Sequence, residues 1–152
     1  MGFKKYDRNM SFLDMELSRI LGSSKTQRFL KEIDGHISWK PIGDILMESY
    51  PVGRSAVGNA AHPPLMLLKA LLIQKWFGIR SDPELENQIN DRISFKVFIG
   101  LPFGKPSPDH SVICRFRERV GSITVEMIHV ELLRQFKEQG FSSMRASPLM
   151  RG

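Results

Sequence analysis

Apolar residues recur along this chain three or four positions apart, the spacing that places side chains on one face of an α-helix. Segments with this spacing follow one another from about residue 24 to residue 140, and prolines, glycines or capping residues separate them. No segment of any length shows the apolar–polar alternation of a half-buried strand. The pattern therefore predicts an all-α fold, a compact multi-helix domain of six or seven short helices.

Two helices and a long loop are predicted in the N-terminal half. The first helix begins at Ser24 and is expected to stop at Gly35, a typical C-terminal breaker. The second has Ser38 as its N-cap, and residues 51–64, with three prolines and two glycines, form the loop. Residues 1–23 are predicted to be an N-terminal arm, either a loose helix or a disordered segment.

The segment PPLMLLKALLIQKWF is the most apolar part of the chain. Its leucines lie on several sides of a helix, which predicts that much of the helix circumference is buried. This segment is therefore the candidate central core helix. Trp76 and Phe77, at its end, are predicted to be core side chains rather than platforms for a nucleic-acid base.

The segment SDPELENQIND carries the clearest helix start in the chain. Asp82 is expected to be the cap, with Pro83 at the first helical position. Carboxylates are favourable at the positive end of a helix. The acidic cluster is thereby explained without a metal, and no metal site is predicted. A second short helix follows at once and ends at Gly100.

The segment PDHSVICRFRERV predicts a helix that Asp109 caps and Gly121 ends. With a step of about 100° per residue, one arc is apolar and faces inward. It comprises Val112, Ile113, Phe116 and Val120. The outward arc comprises Ser111, Cys114, Arg115 and Glu118, with Arg117 and Arg119 on its two flanks.

A last helix is predicted from the cap Ser122 to Gly140. Its apolar stripe comprises Ile123, Met127, Val130, Leu133 and Phe136. Residues 141–152 have no periodicity and are predicted to be a disordered tail. Residues 24–140 are thus expected to form one helical domain.

The arginine helix has two interpretations. Taken alone, it is an ordinary amphipathic helix with a charged, solvated surface. As a DNA-binding helix, it would offer Arg115 to a guanine edge and its flanking arginines to phosphates. Two short helices and a tight loop precede it, the spacing of a helix-turn-helix unit. The candidate DNA-binding residues are Arg115, Arg117, Arg119, Ser111 and His110.

Composition agrees with an anionic partner and excludes several kinds of site. The 152 residues carry a formal net charge of +6. One cysteine excludes an intrachain disulfide and a cysteine-based metal cluster, and the residues show no catalytic constellation. The N-terminus lacks the apolar region of a secretory signal and the longest apolar run is interrupted by Lys and Gln, so a cytoplasmic location without membrane contact is expected.

Several motifs together resemble the N-terminal domain of bacterial transposases of the insertion-sequence-five type. They are HPPLMLLKALLIQKWFG, SDPELE, the Phe-x-Gly-Leu of FIGL, then PDHS and RFR. The similarity covers roughly residues 29–139. It implies a helical domain that binds double-stranded DNA at the terminal inverted repeats of a mobile element.

The resemblance also implies a catalytic domain that would follow, with an Asp-Asp-Glu triad that binds magnesium. FSSMRASPLMRG contains no Asp or Glu, so the triad has no counterpart here. We therefore expect a chain that is truncated before its catalytic domain, that is not an enzyme by itself and that needs no cofactor. The loss of pattern after Gly140 is what a frameshift would produce.

Two alternatives remain open at this point. The helices could form an oligomerisation or interaction module that pairs with itself or with a full-length transposase. The chain could also be an inactive remnant that inhibits the complete enzyme.

Overall fold

The computed structural model describes residues 4, 12–22, 24–50 and 62–140. All regular elements in these ranges are α-helices, which confirms the predicted all-α fold. They are α1 (Phe12–Leu21), α2 (Lys25–His36), α3 (Trp39–Ser49), α4 (Pro64–Trp76), α5 (Asp82–Asp91), α6 (Ile93–Ile99) and α7 (His110–Glu138). Most of the predicted loop 51–64 and the whole predicted tail 141–152 lie outside the described residues.

Helix α4 lies at the centre of the fold and contacts α3, α6 and α7. Its buried side chains point in several directions, as the sequence predicted. They are Pro64, Met66, Leu67, Leu68, Ala70, Leu72, Ile73 and Trp76. Because apolar side chains must be removed from water on all these sides, α3, α6 and α7 pack against α4 from different directions.

Aromatic contacts connect the end of α4 to its neighbours. The ring centroids of Phe77 and Phe95 are 5.0 Å apart, and those of Phe29 and Phe77 are 6.1 Å apart in an edge-to-face pair. Trp76 packs against Phe98 at 5.9 Å. The prediction that Trp76 and Phe77 are core residues is confirmed, since Trp76 is buried and Phe77 is half-buried against the core.

Helix α7 is two helical segments joined at Gly121. This glycine has φ 78° and ψ 160°, a conformation that a residue with a side chain rarely adopts. The predicted break between the arginine helix and the last helix is therefore present. The second segment packs along α3, where Thr124 donates a hydrogen bond to Ser49 (3.1 Å) and the amide of Gln135 donates to the carbonyl oxygen of Ser38 (3.1 Å).

Two predicted helix termini were wrong. Ser81, not Asp82, is the N-cap of α5, because its hydroxyl accepts a hydrogen bond from the backbone N–H of Glu84. Asp82 is the first helical residue, and its carboxylate binds side chains of other helices instead. Helix α2 does not stop at Gly35 but continues to His36.

The predicted stripe of the last helix is mostly exposed. Only Phe136 of the stripe is buried, whereas Ile123, Met127, Val130 and Leu133 are 78%, 53%, 59% and 53% exposed. The residues that face the core are instead Thr124, Ile128, Leu132, Gln135 and Phe136. The second segment of α7 thus carries apolar residues on two faces, and the core covers only one of them.

Two isoleucines of α7 provide a matched test of this orientation. Ile128 is 2% exposed and Ile123 is 78% exposed. We expect Ile128→Ala to lower the free energy of unfolding by about 2–5 kcal/mol, because it removes buried methyl groups and leaves a cavity. Ile123→Ala should change it by less than about 0.5 kcal/mol. Urea unfolding at one low protein concentration measures both; similar losses would show that the helix is rotated from the orientation described.

Candidate nucleic-acid interface

One face of α5 holds the start of α7 in place through three side chains. Asp82, Glu86 and Asn90 are spaced four residues apart and therefore lie one above another on the helix surface. Asp82 binds Arg117, Glu86 binds His110, and Asn90 binds the backbone of Ser107. From the start of α5 to its end, the three residues bind partners that come progressively earlier in the sequence. The chain therefore runs in opposite directions on the two sides of this contact, which we call the seam.

The strongest contact of the seam is a bidentate ion pair between Arg117 and Asp82. Both terminal nitrogens of Arg117 donate to the carboxylate of Asp82, at 2.9 and 2.6 Å. One of them also donates to the side-chain oxygen of Gln74 (2.7 Å), whose amide nitrogen donates back to Asp82 (3.0 Å). The hydrogen bonds from Arg117 hold the pKa of Asp82 below its usual range. The cluster joins α4, α5 and α7.

The first turn of α7 is fixed by two carboxylates. Asp109 caps the helix by accepting from the backbone N–H of Ser111 (2.8 Å) and from its hydroxyl group. Glu86 accepts from the backbone N–H of His110 (2.7 Å) and from its Nδ1 (3.0 Å). With Nδ1 donating to Glu86, the Nε2 atom of His110 remains available for another ligand.

A buried lysine shapes the loop that leads into α7. The Lys96 ammonium donates to the carbonyl oxygens of Phe103 (2.9 Å) and Lys105 (2.7 Å), and burial lowers the pKa of this side chain. Farther along the loop, the Ser107 backbone N–H donates to Asn90 (2.8 Å). The loop and the helix that follows it are therefore anchored at several points rather than at the N-cap alone.

The opposite side of this helical segment faces outward. Ser111, Arg115, Glu118 and Arg119 are exposed there and Cys114 is partly exposed, whereas Ile113, Phe116 and Val120 are buried and Val112 packs partly buried against the core. The predicted inward and outward arcs of the arginine helix are confirmed.

The two exposed arginines of this face are held by neutral groups. Arg115 donates through Nε to the carbonyl oxygen of Ser111 (3.3 Å). Arg119 lies near the phenol of Tyr50, whose pKa is raised by burial although the arginine opposes that shift. Among the described residues, neither guanidinium makes an ion pair with a carboxylate, in contrast to Arg117. Asp109 is nevertheless near enough for Arg115 to help lower its pKa, so the charge of Arg115 is only partly offset.

The structure divides the five predicted DNA-binding residues into two groups. Ser111, Arg115 and Arg119 lie on the outer face of α7, one or two helical turns apart. Arg117, with 41% of its side chain exposed, and His110, with 50% exposed, are bound to α5. Sequence analysis missed the α5 residues that bind them. The regular spacing of the polar positions 82, 86 and 90 was the available signal.

One group of three possible metal ligands occurs in the described residues: Glu86, Asp109 and His110. Their polar atoms already cap and anchor the first turn of α7. We therefore assign them a structural role. In the described part of the chain, no helix is both long and apolar enough to cross a membrane.

Comparison with known families places this geometry in context. The family model described as Transposase domain (DUF772) matches residues 19–119. The chain belongs to this family. The match includes the α5 seam and ends at Arg119, the last arginine of the outer face of this transposase domain. No solved structure matches the chain.

Removal of the Asp82 charge tests the seam. We expect Asp82→Asn to lower the free energy of unfolding at neutral pH by about 1–3 kcal/mol, because it weakens a charge-assisted hydrogen-bond cluster and removes a carboxylate from a helix N-terminus. Because the pKa of Asp82 is lowered by folding, its contribution is complete above the unfolded value of 3.8 and is lost as pH falls through the folded value. The difference in the free energy of unfolding between the unmodified chain and Asp82→Asn should therefore decrease at acidic pH.

Urea unfolding across a pH series measures this effect. Asp91→Asn is the matched control, since it removes an exposed carboxylate from the other end of the same helix. It should change stability by less than about 0.5 kcal/mol. An equal effect of the two substitutions would contradict the role assigned to the seam.

Proposed function

We propose that this chain binds the terminal inverted repeats of a mobile DNA element as the N-terminal part of an insertion-sequence-five-type transposase. The observation that carries the proposal is the pair of exposed arginines on α7, within a domain that belongs to a transposase family. Arg115 and Arg119 are four residues apart, so their side chains lie about one helical turn apart on the same side of the helix. This is a suitable arrangement for a polyanion.

In this proposed complex, the three arginines of α7 have different roles. Arg115, near the middle of the outer face, contacts a guanine edge through its planar fork. Arg119 contacts a phosphate, together with Ser111 at the start of the helix. Arg117 contributes mainly by holding α7 against α5, since its guanidinium is bound to Asp82 and Gln74. His110 is a second candidate phosphate ligand in its protonated imidazolium form, in which Nε2 also carries a proton that it can donate to a phosphate oxygen.

Strand cleavage is not part of the proposed role of this chain. Cleavage and joining of DNA phosphodiesters by transposases of the proposed type requires carboxylates that hold magnesium. In the described residues, Asp82, Glu86 and Asp109 lie beside the proposed DNA surface, and each one binds a side chain or the backbone of α7 or its cap. Glu118 lies on the surface itself and belongs to no group of three possible metal ligands in the described residues. We propose that this domain supplies target recognition and that a catalytic domain would supply the chemistry.

Arginine substitutions separate base recognition from phosphate attraction. Binding of the purified chain to DNA from the ends of its own element and to scrambled DNA is measured across a salt series. Arg115→Ala should reduce the preference for the element ends by about 10- to 100-fold, the loss of one bidentate base contact. Arg115→Lys should lose much of the same preference, because an ammonium keeps the charge but lacks the planar fork.

Phosphate contacts should behave differently. Arg119→Ala should weaken binding to both DNAs equally and reduce the slope of log affinity against log salt by about 0.9. Arg28→Ala removes the same charge from an exposed position on α2 and should have little effect. If Arg28→Ala weakened binding as much as Arg115→Ala, net charge rather than the α7 surface would explain the binding, and the proposal would fail.

A further inference from the structure

The second segment of α7 carries an exposed apolar stripe, which we call the outer stripe: Ile123, Met127, Val130 and Leu133. All four side chains are more than half exposed. The spacing of four, three and three residues places them on one side of the helix, roughly opposite the buried Ile128 and Leu132. An α-helix that is apolar on opposite sides is typical of one buried between two partners. In the part of the chain that the structure describes, the core covers one of these sides and leaves the outer stripe exposed.

The charges beside the outer stripe favour a second copy of the chain as its partner. Two identical helices that cross antiparallel about Val130 would bring each position i opposite position 260 minus i. Met127 would then face Leu133, and Val130 would face its own copy. Glu126 would face Arg134 twice, once at each end of the contact, as two-fold symmetry requires.

The local contacts permit this pairing. Glu126 is exposed and makes no ion pair within the described residues. Arg134 uses Nε and one hydrogen from each terminal nitrogen for Glu131 and Glu138, which leaves two of its five N–H donors for another carboxylate. A parallel pairing would instead bring Glu126 against Glu126 and Arg134 against Arg134. The charge pattern therefore selects the antiparallel orientation.

We propose that the chain forms a weak symmetric dimer through the outer stripe, with the two α7 helices antiparallel and Val130 on the two-fold axis. The contact is small compared with a standard interface, so association should depend on concentration. The arginine face lies in the other segment of α7, on the N-terminal side of Gly121, and the proposed contact does not use it. The inference therefore stands independently of DNA binding.

Disulfide trapping tests the symmetry of the contact. In a Cys114→Ser background, Val130→Cys should form a covalent dimer under mild oxidation, because both thiols lie near the axis. Ile123→Cys is the matched control on an equally accessible apolar position. In the antiparallel pair its copies lie about 14 residues, or roughly 21 Å, apart along the helix, beyond the reach of a disulfide. Cross-linking at both positions would overturn the antiparallel arrangement.

Sedimentation equilibrium tests association without a cross-link. The unmodified chain should change from monomer to dimer with rising concentration, and Val130→Glu should remain monomeric with unchanged thermal unfolding at low concentration. Glu126→Arg should weaken the dimer at low salt, whereas the exposed Glu118→Arg in the first segment should not. A chain that stays monomeric at all concentrations, and whose Val130→Cys variant forms no cross-link, would overturn the proposal.

Discussion

The contact between one face of α5 and the start of α7 is the constraint on which the candidate interface depends. Asp82 binds the side chain of Arg117, Glu86 binds the first residue of α7, and Asn90 binds a backbone N–H of the loop before α7. Each contact is modest by itself, since a hydrogen bond contributes about 0.5–1.5 kcal/mol between neutral groups, as at Asn90, and about 1.5–3 kcal/mol where one group is charged. Together they fix both the position of α7 and its rotation about its own axis.

That rotation gives the three arginines different surroundings. Arg117 turns toward α5 and is neutralised, while Arg115 and Arg119 remain on the outer face. A positive charge that is already paired contributes less to the attraction of a polyanion than one held by neutral oxygens. The second segment follows the non-helical Gly121 and is oriented by its own contacts with α3 and the cap of α3, which bury its inner residues and leave the outer stripe exposed.

The chain belongs to a transposase-domain family, and the regular elements of its described residues are all helices. The acidic residues along the seam could be mistaken in sequence for a metal site. Their hydrogen bonds show that they organise the helix that carries the arginines. The structure also restricts which surface could serve if the helices form an oligomerisation module. The leucine-rich helix α4 is buried in the domain core and is not available for it, so self-association would have to use another surface, such as the outer stripe.

The sequence by itself determined the helical class, most helix positions, the buried centre at α4 and the inward face of the arginine helix. These features follow from periodicity and capping, which act within one or two helical turns. Only the tertiary structure decided which polar residue caps α5, that Arg117 is paired, and which apolar face of the last helix is buried. Those outcomes depend on partners distant in sequence. Ile123 and Ile128 are equally apolar, and only the position of α3 determines which of the two side chains is buried.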